Sequence, residues 1–184
     1  ISNEKLRLLS LSSMIGYAQS EAGYLFRSAF YQSIWPIWAI GLAQGVGSIG
    51  ASMSFYWSGK VIKRFGELRV VAMGKIYSIT TNLVSTIFPT AVSPIIMSSN
   101  SFTFGATTTA SQALKHKEYT NEERSTMSSL NSLLGSITFA VVAYLLGLVA
   151  DYLSPAKGIM LLQVLAFISL LITLKLYRKE KNAI

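Results

Sequence analysis

Apolar residues run along this chain in long blocks that exclude charge: 28–59, 76–114, 125–150 and 158–174 hold no Asp, Glu, Lys or Arg. A bilayer core about 30 Å thick is crossed by roughly 20 mostly apolar helical residues, and soluble helices are seldom charge-free for so long. The second block is about twice the length one crossing needs and is interrupted by Pro89 and Pro94, so it predicts two helices joined by a tight turn. A shorter uncharged run, 8–20, continues through Glu21 to about Tyr31. The pattern predicts an all-α fold: a polytopic transmembrane six-helix bundle in one unit, 1–184, with spans at about 8–30, 36–57, 71–88, 92–113, 126–149 and 158–175.

Within this frame the polar positions are informative. In the first span Tyr17, Glu21, Tyr24, Ser28 and Tyr31 follow at intervals of 4, 3, 4 and 3, which keeps them on one helical face. Counted from Arg7, Glu21 lies about 21 Å along the helix axis. An intramembrane carboxylate is costly unless it faces water or a partner, and that marks a candidate site; a span that begins later would instead make Glu21 and Arg27 an outer-end charged pair. In the fourth span Asn100, Thr103, Thr107 and Ser111 share a face by their spacing of 3, 4 and 4. In hydrocarbon such groups must face protein or a water-filled cavity. Helix-to-helix hydrogen bonding explains either stripe alone; two stripes together favour a shared cavity.

The second and fifth spans carry small residues at close-packing intervals: Gly41 and Gly45, with Gly47, Gly50, Ala51 and Ser54 further along, in one, and Ala143 and Gly147, after Ser136 and Ala140, in the other. The third and sixth are plainer, and the sixth, with only Gln163, Ser169 and Thr173 as polar interruptions, is expected to face lipid. Gln19, Gln32, Gln44, Asn82 and Asn131 are further polar positions whose facing the sequence leaves open. Thr120-Asn-Glu-Glu123 has the capping-box pattern for the start of the fifth helix.

Charge sharpens the topology. The net charge of +8 points at first toward nucleic acid, but the spans sort the 16 Lys and Arg residues: Arg27 and Lys157 fall on one side, and the rest on the other. That asymmetry is the positive-inside pattern and predicts both termini in the cytoplasm, with the chain a multi-pass protein of the plasma membrane and no nucleic-acid partner. Lys75 and Lys175, just inside span ends, are expected to snorkel back to the cytoplasmic interface. With 51% hydrophobic and 13% charged residues the composition lies outside the soluble range of about 25% charged. Cysteine is absent, which removes disulfides and thiolate chemistry, and His116 between Lys115 and Lys117 reads as a solvated loop residue. No metal-ligand cluster or cofactor motif is present, which argues against an enzyme. The start at Ile1, without a signal peptide, raises the expectation of a fragment of a longer protein.

The basic segment between the second and third spans, Gly59-Lys-Val-Ile-Lys-Arg-Phe-Gly66, is similar to the Gly-x-x-x-Asp-Arg-x-Gly loop of the major facilitator superfamily of transporters. Gly59, Arg64 and Gly66 match, while Lys63 stands where the acidic residue would be, as fits the weaker copy in that family's second half. Six spans, the acidic-then-Arg entry to the fifth and Gly-Leu-Val-Ala-Asp at its outer end extend the resemblance over essentially the whole chain. The resemblance implies one half of a twelve-helix transporter, with a missing N-terminal six-helix half as partner and the first and fourth helices of each half on a central cavity. It implies secondary active transport of a small organic solute by alternating access, proton-coupled, across the lipid bilayer. Tyr17, Glu21, Tyr24, Asn100, Thr103 and Thr107 are then the substrate-binding candidates. Glu21, as the one acidic residue inside a span, is also the candidate for proton coupling. A competing reading is a non-transporting membrane subunit or scaffold, which has no use for so many intramembrane hydroxyls. The membrane domain of an ATP-driven exporter is another, against which stand the short loops and the lack of a phosphate-binding loop.

Overall fold

A computed structural model describes residues 4–120, 122 and 124–181, the last as backbone only. The fold is all-α, with helices α1 (Glu4–Gln32), α2 (Ile37–Phe65), α3 (Glu67–Ile87), α4 (Ser93–Ser98), α5 (Ser101–Glu118), α6 (Arg124–Tyr152) and α7 (Pro155–Lys181). Two of them, α6 and α7, are long and apolar enough as helices to cross a membrane. The capping pattern proposed for α6 includes Asn121 and Glu123, which lie outside the described residues.

The chain folds up and down. Lys5 pairs with Glu118 and Glu180, each at 2.9 Å, Lys179 with Glu4 at 2.6 Å and Lys117 with Glu67 at 2.5 Å. These pairs bring the starts of α1 and α3 to the ends of α5 and α7, forming one charged end. The Lys117 ammonium holds the Glu67 carboxyl below its ordinary range, and Lys179 does the same for Glu4. Hydrogen bonds to Glu118 and Glu180 raise Lys5. At the opposite end Phe30, Tyr31, Ile40, Ala43, Met97 and Ile159 form a buried apolar cluster, and Trp35 Nε1 donates to Ala91 O at 2.8 Å, tying two connections together. A second cluster, including Leu9, Leu68, Val71, Ala110 and Leu176, sits under the charged end.

Pairing between helices follows a simple rule. The main contacts of α1 are with α6 and α7, those of α5 with α2 and α3, and α3 meets α7. Exchanging α1 with α5, α2 with α6 and α3 with α7 leaves this set unchanged, and the two three-helix groups start from opposite ends. The pairing is that of an inverted three-plus-three arrangement in which α3 and α7 meet.

Several local expectations are revised. The basic segment 58–69 is not a loop: α2 continues to Phe65 and α3 starts at Glu67, so the whole connection is Gly66. Gly66 has φ +80° and ψ 152°, a backbone conformation open essentially to glycine alone. Gly59 lies within α2 with open space beside it, and Lys63 and Arg64 form its last turn, where positive charge complements the exposed carbonyls. His116 is in the last turn of α5 rather than a loop, edge-on to the Tyr119 ring at 5.8 Å.

The fourth predicted span is one path with a tightened joint. Pro89 and Pro94 bracket the turn as expected, where Ser93 Oγ accepts from Thr90 N at 2.9 Å. Between α4 and α5 the backbone stays in the right-handed helical region at Ser99 and Asn100. There Asn100, Phe102 and Thr103 donate to carbonyls three residues back rather than four. Such a short 3₁₀ stretch inside a helix marks a sequence under local competition. The competitors are side chains: Ser99 Oγ donates to Ile96 O, Thr103 Oγ1 to Asn100 O and Thr107 Oγ1 to Thr103 O.

The close-packing glycines are also not those at the conspicuous spacing. A Cβ at Gly41 or Gly45 would meet nothing within 4 Å. A Cβ at Gly105 would lie 2.4 Å from Phe55 N, and one at Gly50 would lie 2.9 Å from the Phe102 ring. The α2–α5 crossing therefore depends on Gly50 and Gly105. Across α6 only Gly135 and Leu146 are buried, and Gly147 is merely in ordinary contact with Phe26.

Candidate functional site

The stripe on α1 splits along its length. Tyr17 and Tyr24 are exposed, at 46% and 62%. Glu21, between them, is half-buried, and no hydrogen bond or ion pair joins its carboxylate to another described residue. Further along, Ser28 Oγ accepts from Gln44 Nε2 at 3.3 Å, and Tyr31 is buried with its hydroxyl 3.1 Å from Ser98 Oγ. Tyr17, whose ring packs beside Gly135 of α6, and Tyr24 keep exposed surface, whereas the last turn of the stripe is committed to packing α1 against α2 and α4.

The stripe on the fourth span faces elsewhere. Asn100 is buried and directed at α3: Thr81 Oγ1 donates to Asn100 Oδ1 at 2.7 Å, and Asn100 Nδ2 donates to Asn82 Oδ1 at 3.2 Å. Asn82 Nδ2 in turn reaches Gln163 Oε1 at 3.5 Å, and Gln163 Nε2 donates to Ile159 O at 2.9 Å. Thr103 and Thr107 donate to their own helix, and Thr107 packs against Gly74 of α3, where an added Cβ would collide with its hydroxyl. Asn100 and Thr107 therefore face α3, while Tyr17, Glu21 and Tyr24 lie on a different surface. The six candidates do not form one enclosed cavity in this chain. Two open concavities of about 260 and 300 Å³ lie at the charged end, one beside Leu171, Lys175 and Arg178, the other beside Glu4, Leu8 and Glu180.

The polar interior is instead on the two helices that read as plain. On α7 Leu162, Ala166, Ser169 and Thr173, spaced 4, 3 and 4, are all buried, whereas Val164, Phe167, Ile168 and Leu171 are exposed. The helix is thus two-faced rather than uniformly lipid-facing, and that spacing was the signal for it. On α3 Lys75 does not reach toward the charged end, which is about 12 Å away along the helix. It turns into the bundle and donates to Ser12 Oγ at 2.8 Å, Ser169 Oγ at 2.7 Å and Thr173 Oγ1 at 2.9 Å. Lys175 is exposed. Lys115 reaches Ser13 Oγ at 2.9 Å, and burial lowers its proton affinity.

The chain of amides through Asn82 has a measurable consequence. Asn82→Leu would leave Asn100 Nδ2 and Gln163 Oε1 without partners in a buried site. Each orphaned group costs about 1–3 kcal/mol, reduced in a bilayer because the separated helices find other partners. A net loss of about 2 kcal/mol is expected, read as a fall of about 5 °C in the thermal unfolding midpoint of the purified chain.

No protein-family model, curated protein or solved structure matches this chain.

Proposed function

We propose that this chain is one six-span half of a secondary transporter that moves a small organic solute by alternating access. The observation that carries the reading is the inverted three-plus-three pairing of helices. Repeats of that kind, nested within each six-helix half, are how many secondary transporters build a central site and rock around it. The available face of α1, with Tyr17 and Tyr24 on either side of the unpartnered Glu21, supplies aromatic surface and one carboxylate for a solute or a proton. Groups of these types suit a cationic amphiphile, whereas the hydroxyl and amide groups of the fourth span that suit a sugar or nucleoside are turned inward.

Membrane insertion of all six segments is part of the same proposal. In α6 the mean hydropathy of the most apolar stretch is 2.3, yet only 11% of that stretch is buried. A helix apolar on every side and uncovered by its own chain needs lipid or another protein around it. Exposed Ile37, Trp38, Leu42 and Ile49 extend the same requirement to α2. In the proposed assembly α2 and α6 border the missing N-terminal half, while α3 and α7 turn their outer faces to lipid.

The absence of native cysteine makes the six-span proposal direct to test. Single cysteines placed at Ser33 and Thr90 are expected to react with a membrane-impermeant maleimide added outside intact cells, and one placed at Lys63 only after the membrane is opened. Labelling of all three from the same side would refute the topology.

A further inference from the structure

Four oxygens converge on Lys75 Nζ: Ser169 Oγ at 2.7 Å, Ser12 Oγ at 2.8 Å, Thr173 Oγ1 at 2.9 Å and Ser169 O at 3.2 Å. The residues that supply them are almost sealed, at 1% exposure for Ser169, 2% for Thr173 and 4% for Ser12. They come from α1 and α7, while Lys75 enters from α3.

The destination of the hydroxyl protons decides what this cage can hold. Ser169 Oγ donates to Ser12 O at 2.8 Å, Thr173 Oγ1 to Ser169 O at 2.9 Å and Ser12 Oγ to Ser169 O at 3.1 Å. A hydroxyl has one proton: those of Ser169 and Thr173 go to carbonyls, and that of Ser12, whose Oγ also lies 3.1 Å from Ser169 Oγ and 3.2 Å from Thr173 Oγ1, has three acceptors within the cage, so lone pairs of all three are free to face Nζ. Four oxygens lie within hydrogen-bond distance of the one nitrogen, the three hydroxyls nearest, and with the hydroxyl protons turned to one another and to carbonyls it is N–H groups that answer them. An ammonium supplies three and a neutral amine two. The cage is an acceptor-only shell around a cation, and no carboxylate is among its oxygens.

Such a shell is selective by charge. Hard neutral oxygens from hydroxyls and a carbonyl suit hard cations, whereas divalent sites draw on carboxylates to balance the second charge. We propose that Ser12, Ser169 and Thr173 form a monovalent-cation site whose occupant is the tethered ammonium of Lys75. The ammonium stands in place of a free sodium or potassium ion and joins α1 to α3 and α7. This assignment is independent of the transport reading, because it rests on the oxygens that converge on Lys75 Nζ. It implies that the junction holds at any ambient salt concentration, and that removing the tether turns a built-in cation into a required ligand.

Two measurements on the full chain in detergent test the proposal. Thermal unfolding of Lys75→Ala is expected to depend on the cation. Sodium or potassium chloride should raise the midpoint by about 5 °C or more over choline chloride at equal ionic strength, as for a site about 100-fold above its dissociation constant. The unaltered chain should show no such difference, and neither should Lys75→Met, whose methyl group obstructs the cage. Equal midpoints for Lys75→Ala in all three salts would overturn the proposal, as would its failure to fold in every one of them. On the unaltered chain, nitrogen-15 NMR of the lysine side chains at neutral pH should find one slowly exchanging ammonium that disappears in Ser169→Ala. If every ammonium exchanges at the rate of an exposed one, the cage does not hold a cation.

Discussion

Gly105→Ala is expected to cost the chain its folded bundle. The added methyl group would sit 2.4 Å from Phe55 N and 2.8 Å from Phe55 Cα, far inside the separation at which carbon and nitrogen repel. Both sides of that contact are helix backbone, so no change of rotamer relieves it, and α2 and α5 must move apart. Separating them opens one of the two most extensive helix contacts in the fold and breaks the bond from Ala106 N to Ser54 Oγ, at 3.0 Å, that lies beside the crossing. Overpacking a well-packed interior costs about 1–3 kcal/mol where side chains can adjust; with backbone on both sides the expected loss is about 3 kcal/mol or more. Gly41→Ala and Gly45→Ala provide the contrast, because a Cβ at either meets nothing and alanine favours the helix. Purified yield and thermal midpoint should collapse for the first variant and hold or rise for the other two. A Gly105→Ala chain that unfolds at the midpoint of the unaltered protein would mean that the α2–α5 crossing is looser than described.

In the transporter proposed for this chain, Glu21→Gln is expected to abolish proton coupling. The substitution keeps the size and planarity of the side chain and removes its only titratable group. Because no described residue is bonded to the Glu21 carboxylate, the change breaks no internal contact, and its effect on stability should be small. Vesicles holding the protein together with the N-terminal half that the proposal requires, with a pH-sensitive dye inside, report solute-driven proton flux. In Glu21→Gln that flux should fall to the level of protein-free vesicles while solute exchange at equal concentrations continues. Unchanged proton flux would remove Glu21 from the coupling role and leave Tyr17 and Tyr24 as a recognition surface alone.

The pattern of apolar blocks and the two prolines located the helices, because a long run of residues without charge has few ways to satisfy its backbone other than to coil, and proline cannot sit in the interior of the result. The spacing of Tyr17, Glu21 and Tyr24 likewise placed them on one face, since the 3.6-residue period is a property of the backbone and needs no neighbour. The distribution of lysine and arginine anticipated one charged end, which the pairs of Lys5, Lys117 and Lys179 with Glu118, Glu180, Glu67 and Glu4 assemble.

What a face meets is a different quantity, and it depended on the tertiary structure. Gly41 and Gly45 have the sequence signature of a close crossing yet lie in the open, while the crossing is made at Gly50 and Gly105, because contact depends on the rotation of both helices about their axes. Asn100 and Thr107 formed a stripe whose direction was undetermined until Thr81, Asn82 and Gly74 of α3 occupied it. Lys75 was expected at the interface by its distance from a span end. The protein turns it inward because Ser12, Ser169 and Thr173, on helices far apart in sequence, bring three hydroxyl oxygens within 2.9 Å of its Nζ. The sequence by itself determined where the helices are and which residues share a side of each, for those follow from local geometry. Only the packing of one helix against another decided which of those sides are buried, which polar groups answer one another, and which remain open to a ligand.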